Sequence, residues 1–236
     1  MKKNWMKLMV LAIMPAVVLV SCDEDGDDVI VQKDEARVMV VHASPDAPGV
    51  DLLVDDAKVN TTALVYPNNT GYLTVEAGDR DITVNATGTT TSVIDGTLNF
   101  TKDQNYTIFA TGSLAANDIE PLVLTDDLSA PAAGNAKVRF VHLSPDAPTV
   151  DVAVAGQTDP LFDAQDFRDA TGFAEVPAGT YDLEVRLDAD NSVVLPVAGV
   201  QLQAGKIYTI FAKGFVTLPT GNTNALGAQV IEHMVE

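Results

Sequence analysis

Along much of the chain apolar and polar residues alternate with a period of two. Tyr181, Leu183, Val185 and Leu187 are separated by Asp182, Glu184 and Arg186, and Ile82 and Val84 sit between Asp81, Thr83 and Asn85. That period belongs to an extended strand with one face buried and the other wet. No stretch of helical length carries apolar residues at i, i+3, i+4 and i+7, and Thr and Val abound. The pattern predicts strands at 37–43, 50–54, 70–76, 80–86, 91–100, 104–111 and 120–125. About seven short strands in about a hundred residues imply an antiparallel two-sheet sandwich.

The same unit is then written again. The eleven residues Val41 to Asp51 return as Val141 to Asp151 with nine identities. Thr70-Gly71-Tyr72 is answered by Thr171-Gly172-Phe173, and Tyr106-Thr107-Ile108-Phe109-Ala110 by Tyr208-Thr209-Ile210-Phe211-Ala212. The offset grows from 100 to 102 between these matches, so each step is a one-residue insertion, most easily placed in a loop. A period near a hundred residues is that of a domain rather than of a solenoid repeat. The expected division is a first domain at 37–127, a short proline-containing linker at 128–136 and a second domain at 137–236.

The N-terminus reads as an address. Lys2, Lys3 and Lys7 precede an uncharged apolar run from Leu8 to Val20, too short to span a bilayer and suited to a signal-peptide core. The run ends in Leu19-Val20-Ser21-Cys22, which resembles the bacterial lipobox. The resemblance implies that residues 1–21 are a signal peptide and that Cys22 is acylated, anchoring the chain in the cell envelope, in the outer membrane or at the surface. Residues 22–36 then form an acidic tether, and Asp23-Glu24-Asp25-Gly26-Asp27-Asp28 also resembles the surface-export signal of some bacterial lipoproteins. The balance of 14 Lys+Arg against 33 Asp+Glu, a net charge of -19, excludes nucleic acid as a partner. A single Cys excludes both an intrachain disulfide framework and a clustered-Cys metal site.

Within the repeated motif, Ser44-Pro45-Asp46-Ala47 and Ser144-Pro145-Asp146-Ala147 have the chemistry of a type I turn, with Pro at its second position and a hydroxyl at its first. Pro48 and Pro148 hold the preceding Ala extended, so that the next strand starts at Val50 or Val150 and carries Asp51 or Asp151. His42 and His142 end core-facing stripes, and each calls for a backbone or carboxylate partner inside the fold, Asp151 being the carboxylate candidate for His142. Asp46, Asp51, Asp55, Asp56, Asp146, Asp151 and Asp159 offer oxygens that Ca²⁺ accepts, but their spacing matches no established loop, and turn capping and surface charge are the simpler explanation. Residues 55–69 and 155–170 diverge between the copies, and their aromatics Tyr66, Phe162 and Phe167 form the candidate ligand surface, unless they pack under a long loop, which is the simpler reading.

The His-Ala-Ser-Pro-Asp-Ala-Pro signature, with its Val-Asp and the later Tyr-Thr-Ile-Phe-Ala, resembles an uncharacterised family of extracellular bacterial domains often found in tandem in lipoproteins. The second copy departs from it at Leu143. The resemblance implies an immunoglobulin-like sandwich and an envelope location, with no catalytic residues. The expected fold is therefore all-β, two tandem antiparallel immunoglobulin-like sandwiches. The expected function is that of a lipid-anchored, non-enzymatic surface protein in adhesion or surface architecture. The alternative is a glycan- or peptide-binding module of an uptake system, and a third reading is a hydrolase built on His42, Ser44 and Asp51.

Overall fold

In the computed structural model, which describes residues 33–234, the alternating segments form strands and no helix occurs among the described residues. The first half contains β1 (Glu35–His42), β2 (Val50–Val54), β3 (Ala57–Lys58), β4 (Asn69–Glu76), β5 (Gly78–Ala86), β6 (Ser92–Phe100), β7 (Asn105–Thr111) and β8 (Glu120–Thr125). All seven predicted strands are present. The addition is β3, two exposed residues pairing Leu53 with Lys58 and Val54 with Ala57, too short to show a period. The second half repeats the order with β9 (Asn135–His142), β10 (Val150–Val154), β11 (Phe162–Gln165), β12 (Ala174–Pro177), β13 (Gly179–Leu187), β14 (Val193–Leu202), β15 (Ile207–Lys213) and β16 (Gly227–His233). Cys22, the signal residues 1–21 and the tether up to residue 32 lie outside the described residues.

Each half is a sandwich of two four-stranded sheets. Sheet order is β4-β1-β7-β8 over β3-β2-β5-β6 in the first and β12-β9-β15-β16 over β11-β10-β13-β14 in the second. Neighbours run antiparallel except at two places, β1 beside β7 and β9 beside β15, which are parallel. These four strands are central in their sheets and largely buried on both faces, the setting in which parallel pairing is found. Val38 faces its own sandwich with Phe100, Tyr106 and Ile108, whereas Met39, Val41 and Ala43 on the opposite face pack on Val141, Leu143, Phe211 and Ile231 of the second half. Phe109 and Phe211 meet across that seam edge to face, centroids 5.7 Å apart.

The result is four sheets in layers, with a third apolar core between the two sandwiches. The described residues from Lys33 onward consequently form one compact unit that holds every strand described. The linker is pinned as well, since Lys137 bonds Asp127 (2.8 Å) and the Ser129 hydroxyl (2.7 Å). Where the repeat alone suggests two independent beads, either half in isolation would expose Val41 and Phe109, or Val141 and Phe211, to water.

Candidate functional site

The repeated motif folds as a strand-turn-strand corner and is spent on holding itself. His42 Nε2 lies 2.9 Å from the carbonyl of Pro48, and His142 Nε2 lies 3.2 Å from that of Pro148. Both rings are buried, so each bond has the Nε2–H donating to the carbonyl of the motif's own second proline. Burial lowers both imidazole pKa values, and the proline carbonyl opposes it only in part. Of the backbone and carboxylate partners expected, both histidines take a backbone one, and the Asp151 pairing is corrected to Pro148. Asp151 instead accepts from the Ala164 amide (2.8 Å), and Asp51 accepts from the Gly88 amide (3.1 Å) and pairs with Lys58 (2.8 Å). The Ser44 hydroxyl points to Asp46 at 3.5 Å, and the Ser144 hydroxyl donates to the Gly214 carbonyl at 2.7 Å. His42, Ser44 and Asp51 thus each face a different partner, and no proton relay connects them.

The motif aspartates reach across the fold. Asp46 accepts from the Ser113 hydroxyl (2.6 Å) and the amides of Leu114 (2.7 Å) and Ala115 (3.0 Å), while Asp146 accepts from those of Val216 (2.8 Å) and Thr217 (2.7 Å). Burial alone would raise the Asp46 carboxyl, but these donors hold it below the usual carboxylate range. The loops they pin leave β7 and β15 through Gly112 and Gly214, at φ +98° and +81°. A Cβ would lie 2.4 Å from the Asp118 carbonyl at the first and 2.2 Å from that of Ala225 at the second, so only glycine fits. The prolines close the corner: Asn222 and Asn224 of the second half both donate to the Pro45 carbonyl (3.0 and 2.6 Å).

His142→Ala removes a fully buried ring and takes from the Pro148 carbonyl its donor within the corner. A cost of about 1–3 kcal/mol is expected, or several degrees in thermal midpoint for a chain of this length. An unchanged melting curve would mean that the corner does not depend on this bond.

The candidate ligand surface does not hold together as read from the sequence. Phe162 is 8% exposed and stacks on Phe140 inside the second sandwich (6.5 Å), because β11 turns that residue inward beside β10. Tyr66 and Phe167 are half-buried, each edge-on to the motif histidine of its own half, at 6.2 and 6.4 Å. Lys213 lies over the Tyr66 ring at 5.6 Å, and Arg168 over the Phe167 ring at 4.5 Å. An offset of 101 relates the two aromatics, a signal available in the sequence although the flanking residues differ.

Of the candidate calcium ligands, Asp46 and Asp146 are occupied by loop donors, and Asp55 by Arg80 and the Asp81 amide (both 3.0 Å). Asp151 does meet two further carboxylates, Asp163 and Asp188, with oxygens within 4.8 Å of one another. The neighbouring Asp151 charge raises the pKa of the exposed Asp163. These are hard oxygen donors of the kind Ca²⁺ accepts, with the Ala164 amide already satisfying one oxygen of Asp151.

Two features escape the sequence. The first is a ring of hydrogen bonds closed by one ion pair at the seam between the halves. Asp126 accepts from the hydroxyls of Tyr72 (2.6 Å) and Thr107 (2.7 Å) and pairs with Arg139 (2.6 Å). Arg139 Nε donates to Thr209 (2.8 Å), Thr209 meets His233 Nε2 (2.7 Å), and His233 Nδ1 returns to the Tyr72 oxygen (2.8 Å). Because Tyr72 gives its proton to the carboxylate, its oxygen must accept, which fixes His233 as the neutral Nδ1–H tautomer with Nε2 accepting from Thr209. Burial takes the His233 pKa down to about 4, and burial followed by the Asp126 charge raises that of Tyr72.

The second is a polar groove of about 500 Å³ on the divergent segment of the first half, lined by Asn60, Thr61, Thr62, Asn68, Asn69 and Thr70 among others. Asn60 shapes its wall by bonding the Leu52 amide (2.8 Å) and the Val50 carbonyl (3.0 Å). Asn69 accepts from the Gly71 amide (2.9 Å). Thr61, Thr62 and Asn68 are exposed. No charged side chain lines the groove.

The fold is that of an all-β protein of paired sandwiches, and the polar groups of its repeated motif bond within the chain. The chain belongs to the family described as Domain of unknown function (DUF4397), which matches residues 36–153, the whole first sandwich together with β9 and most of β10. No curated protein matches it. Among solved structures it is similar to a family 26 carbohydrate-binding module from Eubacterium rectale Amy13K, in complex with maltoheptaose. Identity there is 10% and the TM-score 0.27, over 85% of this chain and 98% of that one. It is also similar to a streptococcal virulence factor described by its alpha-glucan binding, at 16% identity and a TM-score of 0.24, over 75% of this chain and 92% of that one.

Proposed function

We propose that the chain is a non-enzymatic, lipid-anchored protein of the bacterial envelope, built of two copies of the family domain, whose first sandwich binds glycan. The observation that carries this reading is the groove at residues 59–73. Its lining is uncharged and rich in amide and hydroxyl groups, and Thr61, Thr62 and Asn68 stand exposed at its surface. Such groups donate and accept in turn, as neutral sugar hydroxyls require. The groove lies on a segment that diverges between the halves, where ligand specificity is free to vary without cost to the corner. Of the two main expectations drawn from the sequence, this favours the binding module over pure surface architecture. Cys22 and its lipobox support the anchor, and the engagement of His42, Ser44 and Asp51 with separate partners supports a non-catalytic role.

Two measurements test it. The full chain should partition with membranes and its Cys22→Ala variant should not. On a panel of neutral glycans including alpha-glucans, residues 33–236 should retain at least one ligand, and the Thr62→Ala/Asn68→Ala variant should weaken it by about tenfold or more with its melting curve intact. Binding that survives this variant, or no binding anywhere on the panel, rejects the groove.

A further inference from the structure

The interior of the first sandwich is not filled. Between its two sheets lies an apolar cavity of about 260 Å³, whereas the space between the corresponding sheets of the second sandwich is about 40 Å³. The two halves are otherwise the same construction, so the difference can be traced to particular residues. In the second, Phe140 on β9 and Phe162 on β11 stack at 6.5 Å and fill the middle of the sandwich. In the first, Val40 stands at the position of Phe140, in the same register against β7 that Phe140 holds against β15. Val59 donates its amide to the Leu52 carbonyl as Leu161 does to that of Val152, so the next residue, Asn60, stands where Phe162 does. Asn60 turns its amide onto the backbone of β2 instead of sending a ring inward. Two aromatic rings are missing at one spot, and Val40 is only half-buried in mid-strand where Phe140 is 1% exposed.

The cavity walls are mostly aliphatic, with Val40 and Ile108 on one sheet and Leu52 and Val84 on the other, joined by Asp95 and Phe100 of β6. Its rim at Val59 and Leu73 is shared with the polar groove, whose lining includes the same two residues. An apolar interior thus opens beside a neutral, hydroxyl- and amide-lined surface. We infer that this is one site for a single-chain amphiphile, with a saturated alkyl tail between the sheets and a neutral polyhydroxyl head in the groove. The tail length follows from the volume: an apolar cavity of 150 Å³ takes benzene, so about 260 Å³ takes roughly ten carbon atoms. The head is neutral because the groove holds neither a cation to meet an anion nor a carboxylate to meet a cation. The head-group half of this inference rests on the groove reading, and the tail half does not.

The test is a series of alkyl maltosides from hexyl to dodecyl, each below its micelle concentration, titrated into residues 33–236 beside free maltose and decanoate. Affinity should climb with tail length and level off near ten carbons, with a gain of about tenfold or more from hexyl to decyl. Decanoate should bind more weakly than decyl maltoside. Val40→Phe, which restores the ring of the second sandwich, should remove the dependence on tail length without lowering the melting temperature. Val84→Phe does the same from the opposite sheet should the first variant misfold. A series that is flat in the unmodified protein overturns the tail site whatever the variants do, and leaves the groove standing if maltose binds. A tail-length dependence that persists in a folded Val40→Phe protein overturns it equally. Tail-dependent binding in which decanoate equals decyl maltoside retains the cavity and rejects the neutral head in the groove.

Discussion

Asp126→Ala lowers the thermal midpoint of the protein by roughly 6–20 °C, the equivalent of about 3–5 kcal/mol in a chain of this length. The size follows from what is left behind. Asp126 has no exposed side-chain surface and Arg139 has 3%, so removing the carboxylate strands a guanidinium in the seam between the sandwiches. Tyr72 and Thr107 lose their acceptor at the same time, and with Tyr72 reoriented the ring through His233 and Thr209 opens. Replacing the pair together, as Asp126→Leu/Arg139→Met, removes both charges and should recover most of the loss, because desolvating the ions costs nearly as much as their attraction returns. A single-variant midpoint within about 2 °C of the parent, or a double variant no better than the single one, would show that the ring does not hold the seam. The parent itself should melt in one transition, since the apolar core of Val41, Phe109, Val141 and Phe211 belongs to both halves and neither can open without exposing it.

How much of this could be read in the sequence depends on the distance over which each feature is encoded. Strand alternation is local, and Tyr181 to Leu187 or Ile82 to Val84 declare it within a few residues; the observed strand ends differ from the predicted ones by at most two positions. Pairing direction is not local, because alternation looks the same in a parallel and an antiparallel neighbour, and β1 beside β7 could not be foreseen from it. Yet the shared seam had a signal. Val38, Met39, Val40 and Val41, and likewise Ile210 and Phe211, are apolar at consecutive positions, which a strand wet on one face would not tolerate. The ring leaves no such mark, since Tyr72 meets partners 54 and 161 residues away and Thr209 meets Arg139 across 70. The corner was half legible. Ser-Pro-Asp-Ala announces its turn, but a carbonyl partner for His142 cannot be told from a carboxylate partner by residue type, because every residue carries a carbonyl. Phe162 misleads because it sits in a segment with no match in the first half, where neither repeat nor period says which way a side chain turns.

Stability should fall as the pH drops from about 6.5 to about 4, by about 3 kcal/mol on account of His233 alone. The unfolded imidazole takes up a proton near 6.5, whereas in the folded protein burial keeps the ring neutral until about 4. Over that interval the unfolded state binds more protons, so its population grows as acid is added, and above the interval the contribution is complete and flat. The neutral form is also the only one the seam can use, because a proton on Nε2 would face the Thr209 oxygen that already accepts from Arg139 and must donate to the ring. His42 and His142, their pKa values lowered by burial, add to the same slope. Asp163 opposes it, since its raised pKa lets the folded state take a proton first, but it is exposed and its effect is screened by solvent. Asp127, held down to about 2 chiefly by the Lys137 ammonium, adds to the slope only at the acid end of the window and below it. Chemical denaturation at constant ionic strength, carried out at half-unit steps between pH 4 and 7.5, measures the slope directly. His233→Gln should flatten it markedly while leaving the shallower dependence due to His42 and His142, and a variant that follows the parent curve at every pH would show that His233 titrates in the folded protein as it does in water.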